Sequence, residues 1–260
     1  MLIEIQSGIN INVKTYGDEN NPAVLLLHGI GTDYEMFSPQ IESYKNNEFF
    51  VVIPDLRGHG ESSKVKQLKL TDFTYDIKEI LNHFNIEKTI IVGVSMGGVI
   101  AQQFVVDYSN RVKKLIVVDS FGELNSIKEK LIGNLQIFGF KIFKYLPKKI
   151  GAKIVASAYK NVSENAKIYF EKISINVDYD QLILARKAIN EIDILKDLEN
   201  IEIPSLVIVG DQVDIMIKAS KKIQNSLKNS KLVIIKDSMD PSNLVAPEEF
   251  NKKVLEFIKN

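Results

Sequence analysis

Cysteine is absent from the 260-residue chain, which excludes disulfides, thiolate metal sites and a cysteine nucleophile together. Histidine is scarce: only His28, His59 and His83 occur, so any proton transfer by imidazole must use one of these three. Arginine is limited to Arg57, Arg111 and Arg186 among 33 basic residues, a lysine preference that reads as coding bias rather than function. Neither charge predominates, since 33 Lys and Arg face 33 Asp and Glu. That balance leaves no basic stripe for nucleic acid or an anionic membrane. A run of about 18 apolar residues, the minimum for a membrane span, is also missing. The opening MLIEIQSGINI carries Glu4 and has neither the basic start nor the apolar core of a secretory signal. These absences set the expectation of a cytoplasmic protein with no nucleic-acid or membrane partner. With 45% hydrophobic and 25% charged residues, the composition is globular and excludes a disordered or collagen-like chain.

What is present is a rhythm of short β-branched runs separated by helical patterns. LIEIQ (2–6) and INVKTYG (11–17) are expected to form an antiparallel hairpin across Ser7-Gly8. AVLLLH (23–28), FFVVIPD (49–55), KTIIVGV (88–94), KKLIVVDS (113–120), SLVIVGD (205–211) and KLVIIKD (231–237) follow. From residue 23 these are nearly continuous apolar runs, as parallel strands covered on both faces require. Helical periods occupy the stretch from a Thr71 cap through Phe84, residues 96–108, and residues 247–259, where Pro247 sits in the first turn. The alternation predicts an α/β fold: an eight-stranded, mostly parallel sheet with helices on both faces.

Between residues 121 and 200 no strand pattern interrupts strongly amphipathic helices. This stretch is expected to be a helical cap inserted between strands 6 and 7, with residues 1–120 and 201–260 forming the core. Leu131, Leu135, Phe138, Phe140, Ile142, Phe143 and Tyr145 recur at nearly helical spacing. Facing inward, they would make an apolar cleft for a small hydrophobic or acyl ligand.

Gly93-Val94-Ser95-Met96-Gly97 fits G-x-S-x-G after a buried strand and before a helix. A serine there sits on a strained strand-to-helix turn, with glycines where a β-carbon would meet backbone. The helix beginning at Met96 directs its dipole and free N–H groups at Ser95, which favours a developing oxyanion. The dinucleotide pattern G-x-G-x-x-G is not met, and no cofactor motif takes its place.

Several further segments resemble the α/β-hydrolase superfamily, specifically its small, capped, esterase-like branch. His28-Gly29-Ile30-Gly31 resembles its oxyanion loop, which implies that the Ile30 and Met96 N–H groups form the oxyanion hole. Pro54-Asp55-Leu56-Arg57-Gly58-His59-Gly60-Glu61-Ser62 resembles its D-x-R-G-H-G-x-S turn, and Ala246-Pro247-Glu248-Glu249-Phe250 resembles the start of its last helix. The resemblance implies hydrolysis of a small carboxylic ester or related acyl compound through Ser95, without a cofactor.

The triad expected from that resemblance is incomplete. Counting back from Pro247 puts Met239-Asp240 where the family has glycine and histidine. The family's G-D-x-D is here Gly210-Asp211-Gln212-Val213-Asp214, with the acid one residue late. Asp214 is therefore the expected orienting acid and Asp119 the alternative, with Asp240 in the position of the histidine. An unperturbed aspartate is a base weaker than histidine by about 2–3 pKa units. A catalytically silent member that binds a small hydrophobic ligand, or acts through a partner, is the competing expectation. Asp211, Asp214, Asp237 and Asp240 also cluster near strand ends, as a hard-cation site would, although turn chemistry alone favours aspartate there.

Overall fold

The computed structural model describes residues 1–6 and 8–260, so part of the turn expected at Ser7-Gly8 lies outside the described residues. Eight strands form one sheet: β1 (Leu2–Gln6), β2 (Ile9–Tyr16), β3 (Ala23–Leu27), β4 (Phe50–Pro54), β5 (Thr89–Val94), β6 (Val112–Val118), β7 (Ser205–Gly210) and β8 (Ser230–Ile235). Their spatial order is β1-β2-β4-β3-β5-β6-β7-β8. β1 and β2 pair antiparallel, β2 runs antiparallel to β4, and every later pairing is parallel.

Strands β3 to β7 are apolar almost throughout because both of their faces are covered. Within β3, Leu25 and Leu27 join one core while Val24 and Leu26 join the other, as a two-residue side-chain period dictates. The first core includes α2 (Leu70–His83) and α3 (Met96–Asp107), and the second includes α11 (Pro247–Lys259); along the chain α1 (Ser38–Lys45) lies between β3 and β4, and the short α10 (Ser242–Val245) just before α11. The start of α2 differs from the expected Thr71 cap: Lys69 precedes its first turn, and its N–H donates to the Asp72 carboxylate at 2.8 Å. Thr71 lies inside that turn instead.

The expected helical stretch between β6 and β7 comprises α4 (Ile127–Phe143), α5 (Lys148–Ser157), α6 (Glu164–Ser174), α7 (Tyr179–Asn190) and α8 (Leu195–Leu198). Its ends meet, because Glu123 and Asp193 form an antiparallel bridge and the Ile194 N–H donates to the Gly122 carbonyl at 3.0 Å. The apolar residues of α4 do not turn inward as a group. Leu131, Leu135, Phe138 and Ile142 are each about half exposed and Tyr145 more so, while Phe140 and Phe143 pack near Tyr179. Helical spacing identifies an apolar face but not the layer that face meets. Among the described residues, no helix is long and apolar enough to cross a membrane.

The tightest packing lies where α3 leaves β5. A β-carbon on Gly97 would overlap the carbonyl oxygens of Leu27 and His28, and one on Gly93 would overlap the Gly97 carbonyl. Gly97→Ala therefore has to push β3 away from α3. It should lower stability by about 1–3 kcal/mol, the usual cost of overpacking. Urea unfolding checks this; an unchanged midpoint would contradict the packing described.

Candidate active site

Ser95 occupies the turn between β5 and α3 with φ 54 and ψ −114, a left-handed conformation that strains a residue bearing a β-carbon. Flanking contacts fix that turn. The Ser95 N–H donates to the Val118 carbonyl at 2.8 Å, and the Ser120 hydroxyl donates to the Ser95 carbonyl at 2.8 Å. The Gly98 and Val99 N–H groups also donate to that carbonyl. The Met96 N–H has no partner among the described residues, as the first residue of a helix leaves its donor free. The Ile30 N–H is likewise uncommitted. Both of the expected oxyanion donors are thus available.

The loop that carries Ile30 is held by His28. Its ring Nε2 lies 2.9 Å from the Leu56 N–H, which can only donate, so this nitrogen accepts and the proton resides on Nδ1. Nδ1 sits 2.7 Å from the Gly29 carbonyl, to which the Thr32 hydroxyl also donates at 2.8 Å. Burial pushes the His28 pKa down to about 4. His59 packs edge-on against it with ring centroids 5.2 Å apart, and burial, followed by the neighbouring His28, brings its pKa to about 3. His83 lies exposed at the end of α2. None of the three histidines hydrogen-bonds Ser95 among the described residues.

Asp240 does bond it. The Ser95 hydroxyl donates to Asp240 Oδ2 at 2.9 Å. The Tyr159 hydroxyl, from the segment after α5, donates to the Asp240 carbonyl at 3.1 Å. Burial first, and the charge of Asp119 second, push the Asp240 pKa up to about 8, against a smaller opposing effect of the Ser95 hydroxyl.

Asp119, at the end of β6, is fully buried. It accepts the Gly210 N–H at 3.0 Å and the Ser242 N–H at 2.7 Å. Burial raises its pKa, and those two N–H donors oppose the rise. Burial and the nearness of the two carboxylates together make it costly to ionise both. The one holding two backbone donors is the better anion, so Asp240 keeps the proton up to near pH 8.

Asp214 lies elsewhere. It is the first residue of α9 (Asp214–Ser226), is exposed, and has no hydrogen-bond partner for its carboxylate among the described residues. A carboxylate there suits the positive end of the helix dipole. The structure brings Asp119, not Asp214, to Asp240. The four aspartates weighed as a cation site also separate: Asp211 accepts the Ser238 N–H at 3.3 Å, Asp237 is exposed, and Asp240 serves Ser95. No group of three or more potential metal ligands occurs among the described residues.

Ser95 and Asp240 open on a cavity of about 130 Å³ lined also by Leu124, Ile132, Arg186 and Met216. Arg186, on α7, carried no signal in the sequence. Arg57, in the turn after β4, is committed to Asp76, with Nε 2.9 Å from Oδ2.

A family model described as alpha/beta hydrolase fold matches residues 22–148. The chain is 26% identical to 3-oxoadipate enol-lactonase 1 of Acinetobacter baylyi, over all of this chain and 97% of that protein. An esterase from Exiguobacterium antarcticum superposes with a TM-score of 0.88 at 20% identity, covering 100% of this chain and 99% of the other. The enol-lactonase from Burkholderia xenovorans gives a TM-score of 0.83 at 19% identity, over 97% and 98% of the two chains. The sheet order, the serine turn and these likenesses agree, and the chain has the α/β-hydrolase fold.

Proposed function

We propose that this chain hydrolyses small carboxylic esters or lactones through an acyl-enzyme on Ser95, with Asp240 as the base. The hydrogen bond of 2.9 Å from Ser95 Oγ to Asp240 Oδ2 carries this reading. Lactones are included because a relative matching the full length is by name an enol-lactonase. The helical insertion acts as the cap, contributing Leu124, Ile132 and Arg186 to the cavity.

In this scheme Ser95 Oγ bonds to the carbonyl carbon while its proton passes to the Asp240 carboxylate. The Ile30 and Met96 N–H groups receive the oxyanion. Collapse breaks the ester C–O bond, and Asp240 returns the proton to the departing oxygen. Water then attacks the acyl group, gives a proton to Asp240, and releases the acid as that proton returns to Ser95. An ordinary aspartate would be too weak a base and almost never protonated at neutral pH. A pKa near 8 makes both protonation states available where the enzyme works, as acid–base catalysis requires. Burial first, and the Asp119 charge second, thereby supply what an imidazole would supply by its own chemistry.

Turnover of p-nitrophenyl acetate should rise with pH, about tenfold per unit below pH 8, and level off above it. Ser95→Ala should abolish it, and Asp240→Asn should lower kcat by about 10²–10⁴, the usual contribution of a general base. A fluorophosphonate should label Ser95. Absence of both labelling and turnover in the folded protein would favour a pocket that only binds. A flat profile from pH 6 to 9 would exclude Asp240 as the base.

Met239→Gly/Asp240→His should raise turnover at pH 7, where the parent's base is mostly protonated. Equal rates in the two proteins would contradict this account.

Stability gives a readout independent of activity. Folding keeps Asp240 protonated far above the ordinary value of about 3.9. Its contribution is therefore complete in acid and lost as pH climbs through about 8. Asp240→Asn cannot ionise, so its Tm should exceed the parent's at pH 9 and show no such gain at pH 4. Parallel Tm curves would indicate that Asp240 is not held protonated.

A further inference from the structure

Two of the three arginines have polar partners, and the third has none among the described residues. Arg57 pairs with Asp76. Arg111 donates to the Glu87 and Ile86 carbonyls and to Asn82 Oδ1, each at 2.9 Å. Arg186 is only 6% exposed, yet it forms no ion pair and no hydrogen bond among the described residues, and its Nε is buried without an acceptor. Its guanidinium lies 5.3 Å from the centroid of the Phe121 ring, a contact that satisfies charge in part but no N–H. Burial alone pulls its pKa down to about 10, leaving it fully cationic near neutrality.

A buried charge without a partner is costly, and proteins normally pair it. Arg186 shares a wall with Ser95 and Asp240. Glu123 and Glu129 line the same cavity, but Lys222 holds both, at 2.6 and 3.1 Å. Arg186 is thus the cation left over beside the nucleophile.

We infer that Arg186 binds a carboxylate carried by the substrate, so that the cavity takes small esters or lactones bearing a second, free acid group. A guanidinium offers a planar fork of donors that matches a carboxylate. The cavity of about 130 Å³ equals the volume of about four waters, the scale of a short-chain acid. As a statement about substrate this rests on the hydrolase reading; as a statement about binding it does not.

Two measurements keep these apart. For turnover, mono-p-nitrophenyl glutarate is compared with p-nitrophenyl acetate. The parent should favour the glutarate by at least about tenfold in kcat/KM, and Arg186→Gln should shift that ratio by about 100-fold toward acetate, the scale of a lost desolvated charge pair. Arg186→Lys, which keeps the charge without the fork, should recover part of the preference. For binding, monomethyl glutarate is titrated calorimetrically into Ser95→Ala and Ser95→Ala/Arg186→Gln, with dimethyl glutarate as the neutral comparison. The monoacid should bind the first and not the second, and the diester should bind neither better than the other. Were no ester turned over while that binding pattern held, the hydrolase reading would fall and the carboxylate site would stand. An unchanged ester ratio in a folded Arg186→Gln protein would overturn the inference. So would failure of the monoacid to bind folded Ser95→Ala.

Discussion

One conflict organises the site: burial first, and the neighbouring Asp119 charge second, oppose the ionisation of Asp240. Every element behind Ser95 bears on how that conflict is resolved. Backbone donors from Gly210 and Ser242 settle the charge on Asp119, so the proton goes to Asp240, which faces the serine. Gly210 is required for more than its N–H, since a β-carbon there would overlap the Ser238 carbonyl and push the Asp240 loop outward. Strand order is what brings these groups together. β6, β7 and β8 lie side by side, and the three chain ends that follow them converge on one point.

That convergence explains what was legible in the residue pattern. The serine turn is local: two glycines, a strand before and a helix after define it within a dozen residues. The loop carrying Ile30 and the strands themselves are local too, and their positions agree to within one or two residues. Asp240 was locatable because Pro247 begins the last helix at a fixed distance. Its raised pKa was not, because that depends on burial by the surrounding fold and on Asp119, 121 positions earlier in the numbering. Asp214 fits the family's acid by spacing alone, and a one-residue shift places it at the exposed start of α9 rather than in the pocket. Arg186 had no motif at all. Its significance lies in partners it lacks, and a missing contact leaves no trace in sequence.

The helical insertion shows a similar limit. Its amphipathic period marked α4 correctly as a helix, yet several of its large apolar side chains face outward. What the insertion gives the site instead is sparse and specific: the Tyr159 hydroxyl that steadies Asp240, and the unpaired guanidinium opposite. The sheet places Ser95 and Asp240, and the inserted helices decide what company they keep.

The two buried histidines have a consequence for acid tolerance. Both His28 and His59 are held neutral well below the value of about 6.5 that an imidazole has in water. Unfolding releases them to take up protons that the native state refuses. Between about pH 6 and pH 4, then, acidification draws on the unfolded chain's greater appetite for protons, at up to about 1.4 kcal/mol per unit for each ring. In this protein neither buried histidine hydrogen-bonds Ser95 among the described residues. Together they set the sour edge of the range over which the loop beside Ser95 keeps its shape.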